Sequence, residues 1–191
     1  MKIEIKKMSP ELLNEWLHYF DNVAYKREDG TTEEWQECYC MHFHWGGPEP
    51  TSELEKCKYP SRARAIDYFK SGWMQGYLAF VEGKVVGWCN ANDKERYTQD
   101  IRRFPRGDKE KKIKSVVCIN ICPHMRKKGI GTMFLEYICA DAKAEGYDYV
   151  EAYPRDEDIP KNYKGPYRLY ERAGFVLHKQ YKNSRVVRKY L

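Results

Sequence analysis

Hydrophobic positions along the 191-residue chain change their spacing repeatedly, and each change marks an element. Residues 2–7 alternate apolar and charged and predict a strand. Ser9 then stands where a helix cap belongs, with Pro10 at the first helical position. Leu12, Leu13, Trp16, Leu17 and Phe20 follow at helical intervals, so a first helix is expected there. A second is expected over residues 62–70, stopping at Gly72. Residues 77–81 and 85–89 read as two strands joined by a tight Glu-Gly-Lys turn. Residues 91–112 are charged and lack apolar periodicity, which predicts a loop or an exposed insertion. Residues 115–122 are a continuous apolar run of the buried, central-strand type. The helix that follows carries Ile130, Phe134, Tyr137 and Ile138 on one face and Lys128, Glu136 and Lys143 on the other, with Gly146 past its end. Residues 147–153 predict another strand, and residues 167–173 a helix ended by Gly174. Residues 175–181 and 185–191 pair as a hairpin. This order predicts an α/β fold on a mixed sheet.

Composition narrows the picture. With 42% hydrophobic and 15% aromatic residues the chain can fill one core, so a single domain over 1–191 is expected, elaborated at about 21–73 and 91–112. The N-terminus has no apolar h-region, and no apolar run approaches the roughly 18 residues of a membrane span. Seven irregularly spaced cysteines without an export signal point to free thiols and a cytoplasmic location. A net charge of +6 favours an anionic small ligand. It does not make a nucleic acid the partner, since no helix-turn-helix, zinc-finger or RNA-recognition motif accompanies it.

Residues 38–45, Cys-Tyr-Cys-Met-His-Phe-His-Trp, hold two cysteines and two histidines, the usual zinc ligands. As a strand, Cys38, Cys40, His42 and His44 would face one side but span about 20 Å at ~3.3 Å per residue, too far to converge on one ion. As a helix they form two i,i+4 pairs on different faces, and only one pair could serve an ion. Packing thiols and hydrogen-bonded histidines are therefore expected, with no metal.

The informative junction is Cys122-Pro123-His124-Met125-Arg126-Lys127-Lys128-Gly129-Ile130-Gly131-Thr132. A buried strand ends here and a helix starts. The free amides of a helix's first turn and its positive dipole end receive phosphate. Gly129 and Gly131 allow close backbone approach, and Arg126, Lys127 and Lys128 add charge. A dinucleotide fingerprint needs a third glycine where Phe134 stands, and the Gly-Lys-Ser/Thr of a P-loop is absent.

The Arg-x-x-Gly-x-Gly pattern after a buried strand resembles the acyl-CoA pyrophosphate loop of the GNAT-type N-acetyltransferase superfamily. About forty residues on, Leu169-Tyr170-Glu171-Arg172-Ala173-Gly174-Phe175 resembles that superfamily's Tyr-x-x-x-Gly-Phe segment. The resemblance covers residues 77–191 well and 2–20 by element order. It implies a mixed, mostly antiparallel central sheet with a splayed parallel strand pair and helices on both faces. It implies acetyl-CoA as co-substrate in that splay, with backbone groups of Ile119, Asn120 and Ile121 along the pantetheine and thioester. Arg126, Lys127, Lys128, Gly129, Ile130, Gly131 and Thr132 would hold the pyrophosphate. Tyr170 would be the general acid toward the leaving thiolate. The acceptor wall would draw on His42 and His44, with Trp88 and Asn90 opposite. The base is open: Glu151, either histidine, or a water relay. A ping-pong route through Cys118 or Cys122 is disfavoured, because thiols in a buried strand are inert.

The function expected is transfer of an acetyl group to a primary amine of a small-molecule or amino-acid-like acceptor by direct attack in a ternary complex. A non-catalytic acyl-CoA-binding sensor and an antibiotic-modifying acetyltransferase are the alternatives. Neither a membrane nor a metal is expected as partner, and a homodimer is left open.

Overall fold

The computed structural model describes residues 1–33, 38–44, 60–97, 110–155, 163–182 and 184–191. Strand β1 (Ile3–Lys7) leads through a 3₁₀ turn at Pro10–Leu12 into helix α1 (Leu13–Asn22). Ser9 flanks that turn without making the expected side-chain cap, and Pro10 stands at its first position. Helix α2 (Pro60–Lys70) precedes the hairpin β2 (Gly76–Val81) and β3 (Lys84–Asp93). Its two turn residues, Glu82 and Gly83, both have positive φ, 49° and 75°. That is the turn geometry matching the twist of paired strands. Strand β4 (Ile113–Ile121), helix α3 (Ile130–Ala144), strand β5 (Tyr149–Ala152), helix α4 (Tyr167–Arg172) and the hairpin β6 (Val176–Tyr181) and β7 (Ser184–Tyr190) complete the order.

The strands form one seven-stranded sheet, β1-β2-β3-β4-β5-β7-β6. Every neighbouring pair is antiparallel except β4 and β5. Successive residues of β3 show what covers each face. Trp88 packs edge-on against Trp16 of α1 and Phe69 of α2, with ring centroids 5.8 and 5.6 Å apart. Gly87 turns to the other face, where a Cβ would come within 3.2 Å of Phe134 on α3. Helices therefore cover both faces, as expected.

Two expectations change. Strand β3 runs through Asp93 and a 3₁₀ turn follows at Lys94–Arg96, so 91–97 are not an insertion. Asn92, Lys94 and Tyr97 are buried there, each with a hydrogen-bond partner, which is why a polar run can sit inside the fold. Of the expected elaborations, residues 34–37, 45–59 and 98–109 lie outside the described residues. On α3, Ile130, Phe134 and Ile138 are buried as expected, but Tyr137 is 41% exposed.

Candidate active site

Strand β4 positions the site. It pairs with β5 only over Ile113–Val116 against Tyr149–Ala152. Against β3 it stays paired as far as Ile121 opposite Gly87. A bulge falls between Cys118, opposite Asn90, and Val116, opposite Ala91. A bulge adds twist and bends the strand. Beyond Val116 the two parallel strands part, and the β5-facing side of β4 is left for another partner. Part of it is taken by the chain itself: the Ile119 N–H donates to the Tyr163 carbonyl at 2.6 Å.

Past β4 comes a 3₁₀ turn, Pro123–Met125, then the basic loop and α3. Lys127 and Gly129 both adopt left-handed φ, 61° and 84°. Gly129 is the residue before the helix, and nothing lies within 4 Å of where its Cβ would be. The space above the helix start is open, and the first-turn amides of Ile130, Gly131 and Thr132 have no intrahelical partner. Gly131 has a different reason to be small: a Cβ would lie 3.2 Å from Leu169 of α4, so this glycine lets α3 and α4 pack. Arg126, Lys127 and Lys128 are exposed. The Arg126 Nε donates to the Ile121 carbonyl at 2.9 Å, and its two terminal nitrogens grip both carboxylate oxygens of Glu33, at 2.9 and 2.8 Å. That pairing holds the Glu33 carboxyl below its usual range.

Tyr170 is fully buried, its ring edge-on to Phe175 at 5.5 Å. Its hydroxyl donates to the Lys164 carbonyl at 2.6 Å, and burial pushes its pKa well above the usual phenol value. Gly174, with φ 82°, ends α4 and turns the chain into β6. Tyr170 is thus joined to β4 through the neighbouring carbonyls of Lys164, which takes its hydroxyl, and Tyr163, which takes the Ile119 N–H.

On the α1 and α2 side of the sheet lies a buried polar cluster. The Tyr19 hydroxyl meets the Asn120 side-chain oxygen at 2.5 Å and its carbonyl at 3.1 Å. The Asn90 amide lies 3.1 Å from His44 Nε2, and its oxygen accepts from Tyr97 at 2.8 Å. His44 Nδ1 sits beside the Arg96 main chain without a well-formed hydrogen bond. Burial brings the His44 pKa down to about 4, so its ring is neutral. Ser115 Oγ lies 2.9 Å from the Tyr153 hydroxyl, which donates to Glu151 at 2.7 Å.

The sequence-expected residues thus fall into two groups. Ile119, Ile121 and the loop 126–132 belong to the splayed strand and helix start, and Tyr170 connects to Ile119 through the 163–164 carbonyls. Asn120, Asn90 and His44 belong to the buried cluster. Trp88 is fully buried in the aromatic core and presents no face to an opening. Glu151 is fully buried and held by Lys94 at 2.5 Å, Arg188 at 2.8 Å and Tyr153. Residues 38–44 form neither strand nor helix. Tyr39 and Cys40 take positive φ, 42° and 54°, and start a 3₁₀ turn, Met41–Phe43, that exposes His42 and buries His44. Trp45 lies outside the described residues. Among the described residues no group of three or more His, Cys, Asp or Glu side chains is placed to hold a metal. Cys118 has its pKa raised by the neighbouring Cys40 thiol and by burial, and burial brings Cys122 to about 11, so neither is a ready nucleophile. Sequence reasoning missed Glu33, Tyr19, Lys94 and Arg188. Tyr19 and Arg188 sit at inward-facing positions of predicted elements, whereas Glu33 follows a loop and carries no signal.

Residues 19–175 match the model of the Acetyltransferase (GNAT) family. The chain belongs to that family. No curated protein matches it. Among solved structures, this GNAT chain is similar to a PaiA N-acetyltransferase from Thermoplasma acidophilum in complex with coenzyme A, with TM-score 0.55, 16% identity and 100% of both chains covered. A GNAT-family acetyltransferase from Streptococcus pneumoniae aligns with TM-score 0.56 at 16% identity, covering 100% of this chain and 99% of its own. An agmatine N-acetyltransferase variant in its apo form aligns with TM-score 0.55 at 12% identity over 100% of both chains. At these identities the likeness speaks for the GNAT fold alone. No helix among the described residues is long and apolar enough to cross a membrane.

Proposed function

We propose that the chain transfers an acetyl group from acetyl-CoA to a primary amine of a small or amino-acid-like acceptor, by direct attack in a ternary complex. The observation that carries this reading is the open helix start at Gly129, flanked by exposed Arg126, Lys127 and Lys128, at the end of the strand that splays from its parallel neighbour. A pyrophosphate fits there: left-handed Lys127 and Gly129 turn the backbone, and the first-turn amides of Ile130, Gly131 and Thr132 face open space. When bound, acetyl-CoA supplies the activated acyl group. The Ile119 N–H stabilises negative charge on the carbonyl oxygen, a role worth about 3–4 kcal/mol per donor. The Tyr170 hydroxyl, still protonated at neutral pH because it is buried, donates toward the departing sulfur. With Glu151 and His44 both fully buried, the amine's proton leaves through water. The inward-facing Asn120, Asn90 and His44 border the acceptor side. Family membership supports the acetyl transfer, and solved neighbours described as N-acetyltransferases are compatible with an amine acceptor.

Calorimetry tests the donor site. Native protein should bind acetyl-CoA, and Gly129→Glu should lose at least about tenfold in affinity, since it strains a positive φ and puts a carboxylate beside the pyrophosphate. Unchanged affinity would refute this placement.

A further inference from the structure

Two donors that the proposed reaction needs are already engaged, by consecutive carbonyls of one short segment. Tyr163 offers its carbonyl to the Ile119 N–H at 2.6 Å, and Lys164 offers its carbonyl to the Tyr170 hydroxyl at 2.6 Å. Side chains fasten the segment on several sides. The Tyr163 ring stands edge-on to Tyr25 at 6.4 Å, and its hydroxyl is 3.5 Å from a Glu33 oxygen. The Lys164 ammonium lies 5.5 Å from the Phe43 ring centre, within the turn that holds His42 and His44. Gly165 has φ 77°, and a Cβ there would lie 3.2 Å from the Tyr170 ring. Glu33 in turn grips Arg126 through both oxygens. One segment therefore touches the strand amide, the acid, the basic loop through Glu33, and the acceptor wall.

We propose that residues 163–165 are an internal stand-in for the donor: their two carbonyls cap the oxyanion amide and the acid until acetyl-CoA displaces them, and the Glu33–Arg126 pair is the latch. This rests on the donor-site reading above. A buried donor left unpaired is costly, and the chain satisfies both of these from its own carbonyls. The thioester oxygen and sulfur then take over the same two donors. Displacement makes the binding-competent state a minor one and weakens apparent affinity by that fraction. Weakening the latch should tighten binding.

Two measurements with acetyl-CoA test it. Trypsin cleavage after Lys164, followed by mass spectrometry, should speed up by roughly fivefold at saturating acetyl-CoA, because the freed segment becomes accessible. By calorimetry, Glu33→Gln and the uncharged change Gly165→Ala should each bind acetyl-CoA about threefold to fivefold more tightly. The glycine variant separates release of the segment from the mere loss of a negative charge near the phosphates. If acetyl-CoA binds but cleavage after Lys164 is unchanged or slower, the stand-in is overturned. Tightening by neither variant overturns it as well. If native protein does not bind acetyl-CoA at all, the donor-site reading falls first and this inference with it.

Discussion

Tyr170 combines three properties in one side chain: complete burial, a donated hydrogen bond to the Lys164 carbonyl, and a pKa raised by its surroundings. A phenol so placed keeps its proton at neutral pH and can share it as charge builds on sulfur. Tyr170→Phe should lower kcat by about 10²–10⁴-fold. It should leave acetyl-CoA binding almost intact, because the hydroxyl's bond to the Lys164 carbonyl before binding and its bond to the thioester sulfur after binding are lost together. Steady-state kinetics with any accepted amine, together with calorimetry, read both quantities. A variant within about twofold of native turnover would assign Tyr170 to packing alone. The local setting of Tyr170 was legible because glycine and phenylalanine follow it at fixed spacing, and the structure gives each a reason: Gly174 turns the chain with positive φ, and Phe175 packs on the tyrosine ring. Trp88 was misleading for the opposite reason. A tryptophan on a strand can face a site or a core, and what seals Trp88 is Trp16 and Phe69, far away in sequence. Glu33 could not be read at all, since its role exists only through Arg126, 93 residues on.

At the scale of elements, the turn over 38–44 shows how a motif-like stretch becomes structural. Consecutive positive φ at Tyr39 and Cys40 break both periodicities, so His42 and His44 part ways. His44 enters the cluster with Asn90 and Tyr97 as a neutral ring. Its folded pKa of about 4, set first by burial, lies below the 6.5 of a free histidine. Between those values the unfolded chain binds a proton that the folded chain refuses, so stability falls as pH drops from 6.5 toward 4. From pH 7 to 4.5 this one ring should cost about 2–3 kcal/mol. Urea unfolding at both pH values, for native protein and His44→Gln, isolates it: the variant should lose that much less. Equal losses would mean that His44 titrates freely. The 91–97 segment teaches a related lesson. Its charges suggested exposure, yet Lys94 meets Glu151 inside the fold, and a charge count cannot tell a buried pair from a solvated one.

Over the whole molecule, alternation and helical spacing foretold the element order because each amphipathic face had a sheet or helix to cover. The splay between β4 and β5 was not written in periodicity. It arises where pairing stops after Val116 and Ala152, beside a bulge that no local pattern announced, and only the resemblance to a family supplied it beforehand. The proposed site depends on that parting: one strand would present an amide, the following helix start its own amides and basic flank, and α4 a phenol. The most direct test is release of free thiol from acetyl-CoA across a panel of primary amines, followed continuously at neutral pH. The account predicts amine-dependent release that saturates in both substrates, with initial-rate lines that intersect as a ternary complex requires. Absence of amine-dependent release from protein shown to bind acetyl-CoA would contradict it, as would parallel lines, the signature of a covalent acetyl-enzyme.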